Sequence, residues 1–198
     1  MNIQPVTLKG NRVRLEPLSE SHAADLYVAG QSPEIWTYLL RDAFTSVEDA
    51  REWIADTLRV AATGAEVPFA TINLATGRAV GSTRYMDISR PDRRLEIGWT
   101  WLAQDLWRTP VNTECKYLLM RHAFETLGCL RVQLKTDLRN TRSQQAIERL
   151  GAAREGVLRK HMILALKGNY QRSTVIYSVI DAEWPAVKER LETKMKGQ

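Results

Sequence analysis

From Leu95 to Gly156 the chain reads strand, turn, helix, strand, helix, and this order constrains the fold more than any other stretch. Leu95-Glu96-Ile97-Gly98-Trp99-Thr100-Trp101-Leu102 is rich in β-branched and aromatic residues and alternates as a strand does. From Val111 onward, Cys115, Leu118, Leu119, Ala123 and Leu127 recur at helical spacing until Gly128 ends the run. Arg131 to Thr136 alternates again, and the segment from Asp137 to Ser143 opens a further helix. Two strands joined through one crossover helix in so short a span run parallel. Such a unit aims its helix N-terminus, with free N–H groups and a partial positive charge, at the carboxyl edge of the sheet. An anionic ligand is favoured there.

The flanking sequence completes a mixed sheet. Leu8 to Pro17 reads as an edge strand, and Ser19 or Ser21 caps a helix through Leu26 and Tyr27. Ser46, with Asp49 three residues on, starts an amphipathic helix over Ala50, Trp53, Ile54, Thr57, Leu58 and Ala61 that ends near Gly64. Strands around Phe69–Asn73 and Ala79–Met86 are joined by the turn Ala75-Thr76-Gly77-Arg78. Lys167-Gly168-Asn169 separates the strands Val157–Leu166 and Ser173–Ile180, and Asp181 caps a last helix whose apolar face is Trp184, Val187, Leu191 and Met195. The expectation is a single domain over residues 1–198, of α/β (α+β) class. It has a mostly antiparallel sheet of six to seven strands, a parallel unit between the fourth and fifth, and helices on both faces.

Charge and composition narrow the partners. The net charge of +5 comes from basic residues spread along the chain, with no zinc-finger spacing or aromatic RNA-binding strand, which points away from nucleic acid. No apolar run approaches the ~20 residues that cross a bilayer, and no signal-peptide pattern opens the chain, so no membrane is expected. Cys115 and Cys129 lie near opposite ends of one predicted helix, roughly 20 Å apart at ~1.5 Å per residue, beyond disulfide reach. Cytoplasm is the compartment this implies. The three histidines and two distant cysteines form no metal-ligand pattern, and His22 and His122, within helices, read as surface or boundary residues.

A family resemblance enters at Trp107-Arg108-Thr109-Pro110-Val111-Asn112-Thr113-Glu114, Arg131-Val132, Asp137, Asn140, Ser143, Ala146, Arg149-Leu150-Gly151-Ala152 and Glu155 to Arg159. This ordered set resembles the GNAT acyltransferase superfamily, and within it the branch holding the ribosomal-protein N-terminal acetyltransferases. The resemblance spans nearly the whole chain. It implies acetyl-CoA, or another acyl-CoA, as donor and an amine as acceptor, either a small molecule or a peptide N-terminus. It also implies a sheet that splays between its fourth and fifth strands, and it leaves room for a homodimer.

Site residues follow from the resemblance and from local chemistry. Relatives place a glycine-rich turn against the cofactor's pyrophosphate; here Arg108, Pro110 and Asn112 stand near those positions. Arg108, Thr109, Val111, Asn112 and Thr113 are therefore the expected pyrophosphate contacts, with Thr109 or Asn112 equally suited to capping the helix and Glu114 to balancing its dipole. Asn140 is expected near the pantetheine arm, although it too suits an N-cap. Ser143 matches the serine that the ribosomal-protein branch uses toward the leaving thiolate, because the tyrosine position of other relatives is Ile147 here. As a weak acid, Ser143 would act by hydrogen bonding. Glu96, read as sharing a strand face with Gly98 and Thr100 opposite Ile97, Trp99 and Trp101, is the candidate base. The branch's own glutamate position is occupied by Met162, with His161 on the other face. Trp36 and Tyr38 are expected to line an acceptor cleft. Two alternatives stay open: a GNAT-fold binding module that has lost catalysis, and an enzyme for a small polycation such as an aminoglycoside or polyamine.

Overall fold

A computed structural model describes residues 1–196. Strands β1 (Leu8–Lys9), β2 (Val13–Pro17), β3 (Val67–Asn73), β4 (Arg78–Ser89), β5 (Arg94–Leu102), β6 (Arg131–Asp137), β7 (Ala153–Leu164) and β8 (Tyr170–Ile180) form one sheet in the order β1-β2-β3-β4-β5-β6-β8-β7. Among the described residues only the β5–β6 pair is parallel; the others are antiparallel. Helices α1 (Ala23–Ala29), α2 (Pro33–Trp36) and α3 (Val47–Ala62) cover one face through a cluster containing Leu26, Trp36, Ile54, Ile72 and Trp101. On the other face, α4 (Pro110–Arg121), α5 (Thr141–Leu150) and α6 (Trp184–Lys196) bury Leu118, Ile147 and Leu191 against Leu95, Val132 and Tyr177. The expected mixed sheet with helices on both faces is present.

The edge strand expected from Leu8 to Pro17 is a hairpin, which brings the sheet to eight strands. Leu8 pairs with Leu15, and the chain turns between β1 and β2. Glu114 causes the turn. Its carboxylate, 3% exposed, accepts the backbone N–H groups of Asn11 at 2.7 Å, Arg12 at 2.9 Å and Val13 at 3.0 Å. Donors of the turn that β pairing does not satisfy are thus satisfied by one helix side chain. A side chain at residue 10 would come within 2.7 Å of this carboxylate, so the turn requires Gly10.

The sheet opens at its centre. β5 and β6 pair at three positions only, Arg94 with Arg131, Leu95 with Val132 and Glu96 with Gln133. Past Glu96, Trp99 adopts a left-handed backbone, φ +50°, and the pairing with β4 jumps from Gly98–Arg84 to Trp101–Ser82. Two residues, Trp99 and Thr100, therefore oppose Thr83 alone, as in a β-bulge. The extra residue reverses the alternation and corrects the reading of this strand. Glu96 and Gly98 do share a face, Glu96 Oε1 lying 2.9 Å from where a Gly98 side chain would begin. Thr100, however, turns toward α4, where its hydroxyl accepts from Lys116 Nζ. Trp101 returns to the α1–α3 side and packs at 5.0 Å on Trp36.

Candidate active site

Where β5 and β6 part, a cavity of about 360 Å³ opens between them. Its walls are Glu96 to Leu102 of β5, Leu134 to Asp137 of β6, the first turns of α4 and α5, and the loop after α2. These elements come from both layers, so the cavity runs through the sheet. Among the described residues no group of three or more His, Cys, Asp or Glu side chains is placed to hold a metal ion.

The α4–α5 side presents backbone donors and cationic side chains. Thr109 is the N-cap of α4, its hydroxyl accepting the Val111 N–H at 3.4 Å, and Pro110 occupies the first helical position. The N–H group of Asn112, at the third helical position, belongs to the first turn and has no intrahelical acceptor. Asn112 and Thr113 line the cavity, as do Arg108 and Thr109. Arg108 has φ +64°, the left-handed conformation that a glycine would adopt without strain. That position thus keeps a glycine-like backbone conformation while carrying a guanidinium. Arg142, stacked 3.5 Å from the Trp107 ring, adds a second positive charge beside it, and the proximity of Arg108 helps burial lower the affinity of Arg142 for its proton. Val111 differs from expectation: its side chain is 5% exposed, sits in the core, and does not line this cavity.

Asn140 caps α5 by accepting the Ser143 N–H at 3.0 Å, and both residues line the cavity. The Ser143 hydroxyl has no hydrogen-bond partner among the described residues, and Ile147 lies one turn further along the same wall.

The floor of the cavity is ionic. Glu96, 1% exposed, accepts through Oε2 from Lys135 Nζ at 3.0 Å and from Gln133 Nε2 at 3.1 Å, while its buried Oε1 has no partner among the described residues. Asp137, at the carboxyl end of β6, accepts the Arg139 N–H at 2.8 Å through Oδ1; its Oδ2 is buried without a partner. Arg172 of β8 is 8% exposed and its Nε also lacks a partner. Lys116, on α4, reaches into the slot; burial pushes its ammonium down to about 8, opposed by the neighbouring Glu96 carboxylate. Lys116, Lys135, Asp137 and Arg172 were not among the expected site residues. Lys116 could have been found as the one lysine inside the buried run Glu114 to Met120. Arg172 gave no local signal.

Of the two aromatic residues expected in an acceptor cleft, Tyr38 lines the cavity and donates to the Arg139 carbonyl at 3.3 Å. Trp36 does not line it. It is 1% exposed, donates its indole N–H to the Gly30 carbonyl at 2.7 Å, and packs edge-on at 5.1 Å against Phe44. Its ring is taken up by the aromatic core behind the wall. Met162 lines the cavity, whereas His161 is exposed and bonds Thr174 Oγ1 at 3.1 Å. His22 is buried, its ring nitrogens engaging Ser19 at 3.1 Å and Glu16 at 2.9 Å.

Residues 12–153 match the family model described as Acetyltransferase (GNAT) domain. The chain is 26% identical over 155 residues to the uncharacterized N-acetyltransferase p20 of Bacillus licheniformis, covering 78% of this chain and 86% of that protein. The crystal structure of a GCN5-related N-acetyltransferase from Brucella melitensis superposes with a TM-score of 0.89 at 29% identity, covering 96% of this chain and 86% of that one. The ribosomal-protein-S5-alanine acetyltransferase of Vibrio fischeri, 15% identical with a TM-score of 0.73 over 90% of this chain and 98% of that one, shares the fold.

Proposed function

The chain belongs to the GNAT acetyltransferase family and is an N-acetyltransferase; from that premise we propose that it uses acetyl-CoA and acetylates an amine held at Glu96, in the slot between β5 and β6. One observation carries this reading: Glu96, in the wall of the cavity, has a carboxylate oxygen, Oε1, without a partner among the described residues, and the cavity's other side presents a free helix N–H group and two guanidinium groups. The donor supplies an acetyl thioester, and the residues present fit it. Arg108 in its left-handed conformation lets the turn approach closely, and the Asn112 N–H group with the guanidinium groups of Arg108 and Arg142 suits a pyrophosphate.

The chain's own residues divide the remaining work. Glu96 Oε1 accepts an N–H of the amine and receives the proton that an ammonium must lose before it is nucleophilic. Lys135, fixed on Oε2, keeps that carboxylate turned into the slot. Ser143 Oγ–H, free of other partners, donates a hydrogen bond toward the departing sulfur. Tyr38 and the apolar residues beside it exclude water from the acceptor side. Acetyl-CoA consumption and two unpaired buried cysteines suit the cytoplasm.

Calorimetric titration with acetyl-CoA and CoA, followed by CoA release with a panel of amines, tests the reading. Binding of both cofactor forms, and turnover that falls by on the order of 100-fold in Glu96→Gln with cofactor affinity retained, is expected. Absence of binding at millimolar ligand, or full turnover in Glu96→Gln, rejects it. A module that has lost catalysis would bind acetyl-CoA yet turn over no amine.

A further inference from the structure

Arg172 is a buried cation without a counterion. It forms no ion pair within 4.0 Å and no hydrogen bond among the described residues, although it lines the cavity and feels the charges of Asp137 and Glu96. An unpaired buried guanidinium is costly, and a ligand anion is the group that would satisfy it. Asp137 pairs across the sheet with Thr174, and Arg172 comes two residues before Thr174 on the antiparallel β8, just past the end of β6. The unpartnered Asp137 Oδ2 and the Arg172 guanidinium therefore flank one end of the cavity, too far apart to meet each other. A molecule with a cation and an anion on adjacent atoms would bridge them.

The charge count agrees. Lys116, Lys135, Arg172 and Arg139, the last 3.6 Å from Asp137 Oδ1, stand against Glu96 and Asp137, so the floor carries an excess of positive charge. A diamine or aminoglycoside would add to that excess. A peptide N-terminus brings an ammonium but offers Arg172 only an amide carbonyl. An α-amino acid brings an ammonium for Asp137 Oδ2 and Glu96 Oε1, and a carboxylate for Arg172 that the guanidinium can grip with two N–H groups. Leu39, Leu40, Met86 and Met162 supply an apolar lining for its side chain.

We propose that the acceptor is a free α-amino acid with an apolar side chain, its carboxylate held by Arg172 and its nitrogen by Asp137 and Glu96. This rests on the amine-acetylation reading above. CoA release is to be measured with apolar α-amino acids, the same compounds as C-terminal amides, a short peptide and a diamine. The free acids are expected to exceed their amides in kcat/KM by on the order of 100-fold, the scale of losing one partner of a buried charge pair. In Arg172→Gln that preference collapses toward unity, and Arg172→Lys keeps part of it. Amides, peptide or diamine turned over as well as the free acids in the parent protein overturn this proposal and leave amine acetylation standing. CoA release with none of the four classes overturns both. The parent comparison decides even where the Arg172 variants fold poorly.

Discussion

Lys116 Nζ donates to Thr100 Oγ1, which joins helix α4 to the bulged half of β5 from within the parted sheet. The same hydroxyl also meets Thr83 Oγ1 at 2.8 Å, so it keeps a partner if the lysine is removed. Burial is what moves Lys116 down to about 8.

Lys116→Met should therefore stabilise the fold at pH 7. Below about 8 the lysine is charged in both folded and unfolded chains, and the folded state bears the whole desolvation penalty. Between about 8 and the ordinary 10.5 only the unfolded chain holds that proton, so the parent gains stability as pH rises. The gap corresponds to at most about 3 kcal/mol. Urea melts at pH 7 and pH 10 should show the variant ahead at pH 7 and the advantage shrinking at pH 10. A constant difference between the two pH values would mean Lys116 is not a buried cation.

Ser143→Ala should slow turnover about tenfold or more while leaving acetyl-CoA affinity nearly unchanged, because a contact to a departing thiolate strengthens only in the transition state. The Asn140 cap on the Ser143 backbone N–H survives the substitution, so the helix start is preserved. Steady-state kinetics with direct cofactor titration separates the two quantities; equal turnover in the variant removes Ser143 from the mechanism.

Arg108→Gly should raise stability and weaken acetyl-CoA at once. Glycine relieves a left-handed backbone that costs other residues about 1 kcal/mol, although part of that gain is lost to its greater freedom when unfolded. The lost guanidinium should weaken binding by about 1.5–3 kcal/mol, and the salt dependence of the affinity should flatten. Titrations at two ionic strengths check this; affinity unchanged at low salt would place the pyrophosphate elsewhere.

Trp36→Leu should lower stability by about 3 kcal/mol and leave the acceptor KM within twofold of the parent, since the indole fills the core and not the cleft. A selective rise in KM at unchanged stability would restore Trp36 to the cleft.

Local periodicity and capping made the frame legible: Ser46 caps α3 by accepting the Asp49 N–H, and the strand–helix–strand run from Leu95 stands where the alternation put it. Features set by distant parts of the chain were not. Trp99 is left-handed against its own preference because the surrounding sheet imposes the bulge, and the faces of Thr100 and Trp101 follow from it. Glu114 answers to a hairpin 101 to 103 residues away. Arg172 stands at the same end of the cavity as Asp137 only because β8 lies between β6 and β7, a crossing that no local pattern announces. At Arg108 the sequence showed a missing glycine, whereas the backbone there takes the left-handed conformation that a glycine would adopt.

Three residue pairs hold β5 to β6, whereas β6 meets β8 along seven. Cut at that seam, the molecule is two sheets, β1 to β5 and β6 to β8. The segment from Ile97 to Leu102 presents mid-sheet amides that β6 does not close. Amide hydrogen exchange should find this seam the least protected line in the centre of the ligand-free protein, with the two halves opening as separate cooperative units. A donor lying in the slot would then act as the missing strand, raising protection in both halves together. The enzyme's unfolding should consequently become a single transition only when its co-substrate is bound.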